Sequence, residues 1–168
     1  MKKVRITLTD DRQMVLDIDT EKAPISAGNF ISLCQSGYYE GLIFHRVIDK
    51  FMIQGGGFSL EGNELKQKGG VDTIKGEFSA NGIDNDIKHE PGVISMARTN
   101  IKDSATSQFF ICVANCSFLD GQYAAFGRVA DEASLKVAID ISKVPTGHWM
   151  SHDDVPKTPV VIKKCEVI

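Results

Sequence analysis

Hydrophobic and polar residues alternate with a period of two along most of this chain. The alternating segments are short and are separated by Gly, Asp, Asn and Pro, as in antiparallel β proteins. This pattern predicts an all-β barrel or sandwich. The predicted strands are Val4–Leu8, Met14–Ile18, Ile43–Ile48, Val93–Ala97, Phe109–Val113, Ala124–Val129 and Val160–Val167.

Two segments follow the helical period instead. In the first, apolar residues recur at helical spacing between Pro24, which suits a first helical turn, and Gly37, which suits a helix end. We predict a helix over Pro24–Gln35. The second segment begins with acidic residues, which the helix dipole favours at that end, and predicts a helix over Glu132–Ile141. Residues 57–74 and 100–106 follow neither period and predict long functional or mobile loops.

The composition is that of one globular domain, which we expect to cover residues 1–168. The chain has 42% apolar and 24% charged residues and a net charge of −3, with no run of Lys or Arg longer than two. This charge pattern argues against nucleic acid and anionic membranes as partners. The N-terminal segment lacks the apolar stretch of a signal peptide, and no segment has the ~20 apolar residues that span a membrane. We therefore expect a cytoplasmic protein, and we expect it to be monomeric.

The cysteines are few and far apart for a disulfide framework. Cys112 and Cys116 are four residues apart, which is not the spacing of a zinc or thioredoxin pair. We therefore expect Cys34, Cys112, Cys116 and Cys165 to be buried or half-buried free thiols.

One arginine, Arg46, lies among mostly apolar side chains in the stretch FHRVIDKFMIQGGGF at residues 44–58. On a continuous strand, Phe44, Arg46 and Ile48 share one face, and His45 and Val47 share the other. This parity predicts that His45 is a hydrogen-bonded core histidine. Arg46 would point outward, where it needs water, a partner or a chemical role.

The strands that follow offer a similar outward face. After a turn at residues 49–50, Met52 and Gln54 share a face, and a hairpin-like return would place one of them beside Arg46. In SQFFICV the same parity groups Gln108 with Phe110. If the alternate positions fill the barrel, the large apolar side chains are left outside as a binding surface, or a loop covers them as a second small core. The polar side chains on the same face favour the binding surface.

Motifs for nucleophilic, zinc and nucleotide chemistry are missing. There is no G-x-S-x-G turn and no His-Glu-x-x-His run, and the glycines of QGGGF precede neither Lys-Ser nor a helix. His148, His152 and Asp153 could be drawn as a metal site, but Pro145 and Gly147 make this segment a predicted loop. Because four-residue spacing brings ligands together only on a helix, we expect no metal and no cofactor.

Four motifs in this order, FHRVIDKFMIQGGGF, PGVISMART, SATSQFFICV and FLDGQYAAFGRV, resemble the cyclophilin family of peptidyl-prolyl cis–trans isomerases. The similarity covers essentially the whole chain and is strongest to the compact single-domain bacterial branch. It implies an all-β dominated fold, an eight-stranded antiparallel β-barrel capped by two α-helices. It also implies isomerisation of X–Pro bonds in peptides and in unfolded or folding proteins. A catalytically weak module that only binds proline-containing peptides is the alternative.

The resemblance also assigns site residues by position. Phe118 stands where the best-known eukaryotic members have Trp, and Tyr123 stands where they have His, which argues against tight cyclosporin binding and leaves weak binding open. The turn Asp49-Lys50 replaces the usual Pro-Gly. The implied catalytic residues are Arg46, Gln54 and Phe51, and the implied substrate-binding residues are Met52, Ala97, Arg98, Gln108, Phe110, Phe118, Leu119 and Tyr123.

Overall fold

A computed structural model describes all 168 residues. The chain forms twelve strands and two α-helices, which are joined by turns and loops. In chain order they are β1 (Lys2–Leu8), β2 (Gln13–Ile18), α1 (Pro24–Gln35), β3 (Arg46–Ile48), β4 (Met52–Gly55), β5 (Phe58–Glu61), β6 (Glu64–Gln67), β7 (Val93–Met96), β8 (Phe109–Cys112), β9 (Ala125–Val129), α2 (Glu132–Ser142), β10 (Thr146–Trp149), β11 (His152–Pro156) and β12 (Ile162–Val167). Neither helix is long and apolar enough to cross a membrane.

Eight strands form one curled antiparallel sheet in the order β12-β1-β2-β9-β7-β8-β4-β3. Its two edges approach each other next to β3 and β12. There, the backbone N–H of Phe44 donates to the carbonyl oxygen of Val160 (3.0 Å), and that of Ile162 donates to Leu42 (2.8 Å). Such contacts remove exposed sheet edges. The eight-stranded antiparallel sheet with two helices, implied by the family resemblance, is confirmed.

The core lies inside the curled sheet and under α1. Ile53, Phe109 and Ile111 point inward from β4 and β8 and are fully buried. Phe30 of α1 meets the ring of Phe109 edge to face, with ring centroids 5.3 Å apart, and Tyr39 packs against both rings. The prediction from strand alternation is therefore confirmed, because the apolar side chains at alternate strand positions point inward and fill the barrel.

Local capping accounts for the helix boundaries. At the start of α1, the N–H groups of Ile25 and Ser26 donate to the buried carboxylate of Glu77 at 3.2 and 2.6 Å. Beyond its end, Gly37 has a φ of 76°, which glycine adopts without strain. The side chain of Asp131 accepts a hydrogen bond from the N–H of Ser134 at the start of α2. Helix α1 has the predicted bounds, and α2 is one residue longer than predicted.

Two segments predicted as loops are hairpins. Residues 57–74 contain β5 and β6, which pair antiparallel through residues 58–67. The histidine-containing segment predicted as a loop forms β10 and β11. Neither pair joins the main sheet. Both predictions rested on local composition, on the Gly, Lys and Asn residues of 57–74 and on Pro145 and Gly147 in the second segment. They were wrong because local composition does not show distant packing: Leu65 of β6 packs with Val155 of β11, and β11 packs against β3.

The cysteine prediction is wrong for one pair. Cys34 at the end of α1 and Cys165 in β12 form a disulfide, with their Cα atoms 5.0 Å apart. They are 131 residues apart in the sequence, so only the packing of α1 against β12 reveals the pairing. Cys112 and Cys116 are buried free thiols, as predicted, and burial raises the pKa of both.

Candidate active site

The hairpin β3–β4 sets the position of Arg46. Its register places Arg46 directly opposite Gln54, so Gln54, rather than Met52, is its cross-strand neighbour. The turn closes with a hydrogen bond from the N–H of Phe51 to the carbonyl oxygen of Ile48 (3.1 Å), and Lys50 takes a left-handed backbone with a φ of 62°. A side chain at such a φ is strained, which explains why glycine suits this position.

A chain of hydrogen bonds holds the guanidinium of Arg46 in place. Its Nη1 donates to Oε1 of Gln54 at 3.3 Å, and Nε2 of Gln54 donates to Oε1 of Gln108 at 3.0 Å. No other group of the chain accepts a hydrogen bond from the Arg46 side chain, which is exposed to solvent. A Cβ at Gly57 would overlap the side chain of Gln108, so a glycine of QGGGF leaves the space for this glutamine. The remaining guanidinium donors are free for a ligand.

An apolar cluster lies beside these polar groups on the outside of the barrel. Met52 and Phe110 are buried here, separate from the main core, and Leu119 and Tyr123 partly cover them. Both interpretations of the sequence were therefore partly correct. The inner layer is a second small core, and the outer layer forms the wall of a groove.

The groove is shallow, with a volume of about 180 Å³. The structure brings together nine of the eleven predicted site residues around it, and two lie outside. Gln108 accepts a hydrogen bond from the side chain of Gln54, and Phe118 is 68% exposed, with its ring centroid 5.6 Å from that of Phe51. The lining residues are Arg46, Phe51, Met52, Gln54, Ala97, Arg98, Phe110, Leu119 and Tyr123.

Arg98 braces one wall of the groove. Its guanidinium lies 4.7 Å from the ring centroid of Tyr123 and donates to the carbonyl oxygen of Gln122 at 2.7 and 3.1 Å. A third hydrogen bond reaches the carbonyl oxygen of Thr99. These contacts hold Tyr123, whose ring meets that of Phe110 edge to face at 5.7 Å. Arg98 therefore shapes the pocket through its side chain.

Sequence reasoning missed His89, which supports the groove from behind. Its buried ring stacks on Phe110 with centroids 6.0 Å apart and an interplanar angle of 15°. Its Nδ1 contacts Asp120 and its Nε2 contacts Ser95, both at 3.0 Å. Burial lowers the pKa of His89 below its ordinary value, and Asp120 partly opposes this shift. The sequence signal was weak, since His89 precedes a strand in a Pro-Gly turn segment.

The predicted faces of Phe44 and His45 are wrong. Phe44 is part of the main core with Val47, so it does not share the face of Arg46. His45 is buried, but its ring packs 4.5 Å from that of Phe58, outside the main core, and its Nδ1 has no hydrogen-bond partner. The cause is an interrupted strand, because β3 begins only at Arg46. Burial is the main cause that lowers the pKa of His45 to about 4, and the nearby His152 and Arg46 add to it.

The remaining histidines do not form a metal centre. His148 contacts Asp153 at 2.7 Å through Nδ1, whereas His152 packs against His45 and Phe58. Nowhere in the structure do three His, Cys, Asp or Glu side chains come together as a metal site. We therefore assign no ligand set to this hairpin.

A curled antiparallel sheet with a fixed arginine beside an outward apolar groove defines a cyclophilin-like protein. The family described as "Cyclophilin type peptidyl-prolyl cis-trans isomerase/CLD" matches residues 3–167. Among curated proteins, peptidyl-prolyl cis-trans isomerase A of Dickeya dadantii is 47% identical over 158 residues, which is 91% of this chain and 78% of the relative. Peptidyl-prolyl cis-trans isomerase B of Escherichia coli is 39% identical over 167 residues, 95% and 96% of the two chains.

Solved structures agree with these relatives. A cyclophilin type peptidyl-prolyl cis-trans isomerase of Cryptosporidium parvum, crystallised in the presence of the dipeptide Ala-Pro, has a TM-score of 0.76 and 25% sequence identity. The match covers 99% of each chain. This chain belongs to the cyclophilin-type peptidyl-prolyl cis-trans isomerase family, and peptidyl-prolyl cis–trans isomerisation is its activity.

Proposed function

We propose that the groove around Arg46 catalyses rotation about X–Pro bonds in peptides and folding proteins by non-covalent stabilisation of the transition state. The strongest support for this proposal is the position of the Arg46 guanidinium. It is exposed, oriented by Gln54, and adjacent to an apolar groove. The presence of Ala-Pro with the Cryptosporidium parvum protein supports the same substrate class here.

The reaction needs no nucleophile, because no bond is broken. Rotation about an amide faces a barrier of ~18–20 kcal/mol, since the C–N bond must lose its double-bond character, and unaided X–Pro isomerisation takes tens to hundreds of seconds. As the amide twists, the proline nitrogen regains a lone pair that can accept a hydrogen bond from Arg46. An interaction that is stronger in the transition state than in the ground state accelerates the reaction.

The expected contribution of Arg46 is moderate. A hydrogen bond to a charged group is worth roughly 1.5–3 kcal/mol, which corresponds to about ten- to a hundredfold in rate. Lysine would replace it poorly, because a compact ammonium lacks the planar arrangement of donors that can serve the nitrogen and a carbonyl together.

The rest of the acceleration comes from holding the substrate. Phe51, Phe110 and Leu119 line the groove where the proline ring would bind, and Met52 forms part of its floor. Gln54 and the backbone near Arg98 would guide the carbonyl that precedes proline as it swings. A fixed ring with one mobile carbonyl limits the motion to the torsion that reacts.

Cellular context and drug binding also belong to this proposal. We assign the protein to the cytoplasm as a monomer that acts without a cofactor. Cyclosporin would bind weakly at most, because exposed Phe118 lies outside the groove and Tyr123 is engaged with Arg98 and Phe110.

The test follows cis-to-trans conversion of a short Ala-Pro peptide with wild type, Arg46→Ala and the control Arg12→Ala. Arg12 is a surface arginine that pairs with Asp10, outside the groove. We expect acceleration by wild type and Arg12→Ala, and a ten- to hundredfold loss in Arg46→Ala. Equal rates with and without wild type would contradict the activity; an unchanged Arg46→Ala rate would contradict the mechanism.

A further inference from the structure

A second concavity of the molecule, separate from the groove around Arg46, lies between the two hairpins that leave the main sheet. We call it the hairpin groove and define it by Ile43, Leu60, Leu65, Trp149, Val155 and Lys157. Its volume is about 490 Å³, within the range of ~300–1,000 Å³ that is usual for ligand sites. The isomerase mechanism uses none of these residues.

The walls of the hairpin groove are apolar and come from both hairpins. Leu65 of β6 packs in a small cluster with Val155 of β11, separate from the main core. The hairpins also touch where the backbone N–H of Leu65 contacts Sδ of Met150 at 3.4 Å. Trp149, which lines the groove, is 39% exposed, and its neighbour in the chain, Met150, is 57% exposed. Adjacent large apolar side chains at a concave surface are typical of a binding site.

The charge at this groove favours an anionic group. No carboxylate lines it, and its charged or titratable side chains are those of Lys157 and His148. The hydrogen bond between His148 and Asp153 raises the pKa of the histidine, and the carboxylate of Asp153 offsets the positive charge of the protonated ring. Lys157 is exposed and makes no ion pair, so its ammonium is available to a ligand carboxylate.

The hairpin groove is close along the chain to the groove around Arg46, which we call the catalytic groove and define by the nine lining residues given above. Ile43 lines the first, and Arg46, three residues later, lines the second. Three residues of extended chain span about 10 Å. In addition, β11, which forms a wall of the hairpin groove, packs against β3, which carries Arg46. A polypeptide bound at Arg46 therefore has the hairpin groove within a few residues.

We propose that the hairpin groove is a second binding site for the client polypeptide and that it takes an apolar segment carrying an acidic side chain. The apolar walls would bind the segment, and Lys157 would pair with its carboxylate. The identity of the client rests on the isomerase function proposed above, whereas binding at the hairpin groove can be measured without isomerisation.

Trp149 makes this measurement direct, because it is the only tryptophan of the chain and lines the hairpin groove. The probe is a peptide of about eight residues with blocked termini that contains Leu, Phe and one Glu but no Pro. Two comparison peptides have the same sequence with Gln or with Lys in place of Glu. We expect saturable changes in Trp149 emission, with the affinity order Glu, then Gln, then Lys.

Two protein variants locate the binding. In Gly147→Phe the new side chain would fill the groove, and a Cβ at this position meets only Cε of Lys157 at 3.5 Å, an ordinary contact. We expect this variant to lose the emission change. Lys157→Gln should weaken the Glu peptide by about two- to fivefold and leave the Gln peptide unchanged. The control Lys143→Gln removes an exposed lysine that lines no part of the groove and should bind like wild type.

Isomerase activity gives an independent readout. Short Ala-Pro peptides should be turned over by Gly147→Phe within about twofold of wild type, which also shows that the variant folds. With wild type, a longer peptide that joins Ala-Pro to the acidic apolar segment should have a lower KM than the short peptide. This advantage should be lost in Gly147→Phe and reduced in Lys157→Gln. An emission change that survives in Gly147→Phe, a preference for the Lys peptide, or concentration-dependent dimers that bury Trp149 would each overturn the proposal.

Discussion

The catalytic groove has a volume of about 180 Å³ and the hairpin groove about 490 Å³, yet the arginine oriented by a chain of hydrogen bonds belongs to the smaller one. In the catalytic groove, Arg46, Gln54 and Gln108 form a hydrogen-bonded chain that orients a free cation. In the hairpin groove, Lys157 has no such partner, and the walls are mainly apolar. Hydrogen-bond donors held in a fixed orientation therefore mark the site of catalysis in this protein, whereas a larger apolar concavity marks a site suited to binding.

Acid should destabilise the structure on the hairpin side, and this is the largest effect we expect. His45 packs on Phe58 with a pKa of about 4, compared with about 6.5 in an unfolded chain. Between these values the unfolded chain binds more protons, so the free energy of unfolding falls as the pH drops from 6.5 to 4. The full shift corresponds to about 3 kcal/mol.

Denaturant unfolding at pH 7 and pH 4 measures this effect in wild type and in His45→Leu. The variant should show a clearly smaller decline, because its buried side chain cannot bind a proton. The control His148→Gln, at an exposed histidine paired with Asp153, should keep most of the decline. If the free energy of unfolding declined equally in wild type and His45→Leu, protonation of His45 would not be the cause of the acid destabilisation.

On the catalytic side, Gln54→Ala should lower kcat about fivefold, because the guanidinium of Arg46 loses the acceptor that orients it. Gln108→Ala should lower kcat less than Gln54→Ala, because Gln108 contacts Arg46 only through Gln54. In the double variant of Arg46 and Gln54, the combined loss should be smaller than the product of the single losses, because the residues act as a unit. Multiplicative losses would show that Gln54 acts independently of Arg46.

The contrast between the grooves also explains which features the sequence could predict. Strand parity was enough to place Met52 and Phe110 outside the barrel and Gln54 within reach of Arg46, because the period of two is local. Helix α1 was predicted with its bounds, since Pro24 and Gly37 mark its ends. The catalytic groove is thus built mainly from local patterns.

The hairpin side depends on contacts that local patterns do not contain. The backbone at Ile43 bridges to Val161, and this distant pairing accompanies the interruption of the strand before Arg46 that misplaced His45. Likewise, Cys34 and Cys165 meet only because α1 packs on β12. Alternation along one segment cannot show where a remote segment will pair, so these features required the structure.

A smaller effect is expected at the turn before the catalytic groove. Lys50 has a φ of 62°, so Lys50→Gly should raise the free energy of unfolding by about 1 kcal/mol or less. The neighbouring change Asp49→Gly should give no gain, because Asp49 does not have a positive φ. Denaturant unfolding of the two variants compares them directly. A loss of stability in Lys50→Gly would show that the lysine side chain stabilises the turn.

The smallest effect should come from Phe118, which contacts Phe51 but does not line the groove. Phe118→Ala should lower kcat/KM for a short Ala-Pro peptide by only about twofold, because its ring is largely in water already. A loss as large as that of Arg46→Ala would place Phe118 against the substrate and extend the catalytic groove to include it.

In the proposed mechanism, the guanidinium of Arg46 binds the twisted amide more strongly than the planar one. The most direct test is the separate measurement of kcat and KM for Arg46→Lys on a short Ala-Pro peptide. We expect kcat to fall about tenfold while KM stays within about twofold, because the lost interaction forms only in the transition state. A wild-type kcat in Arg46→Lys, or a loss that lies entirely in KM, would contradict this mechanism.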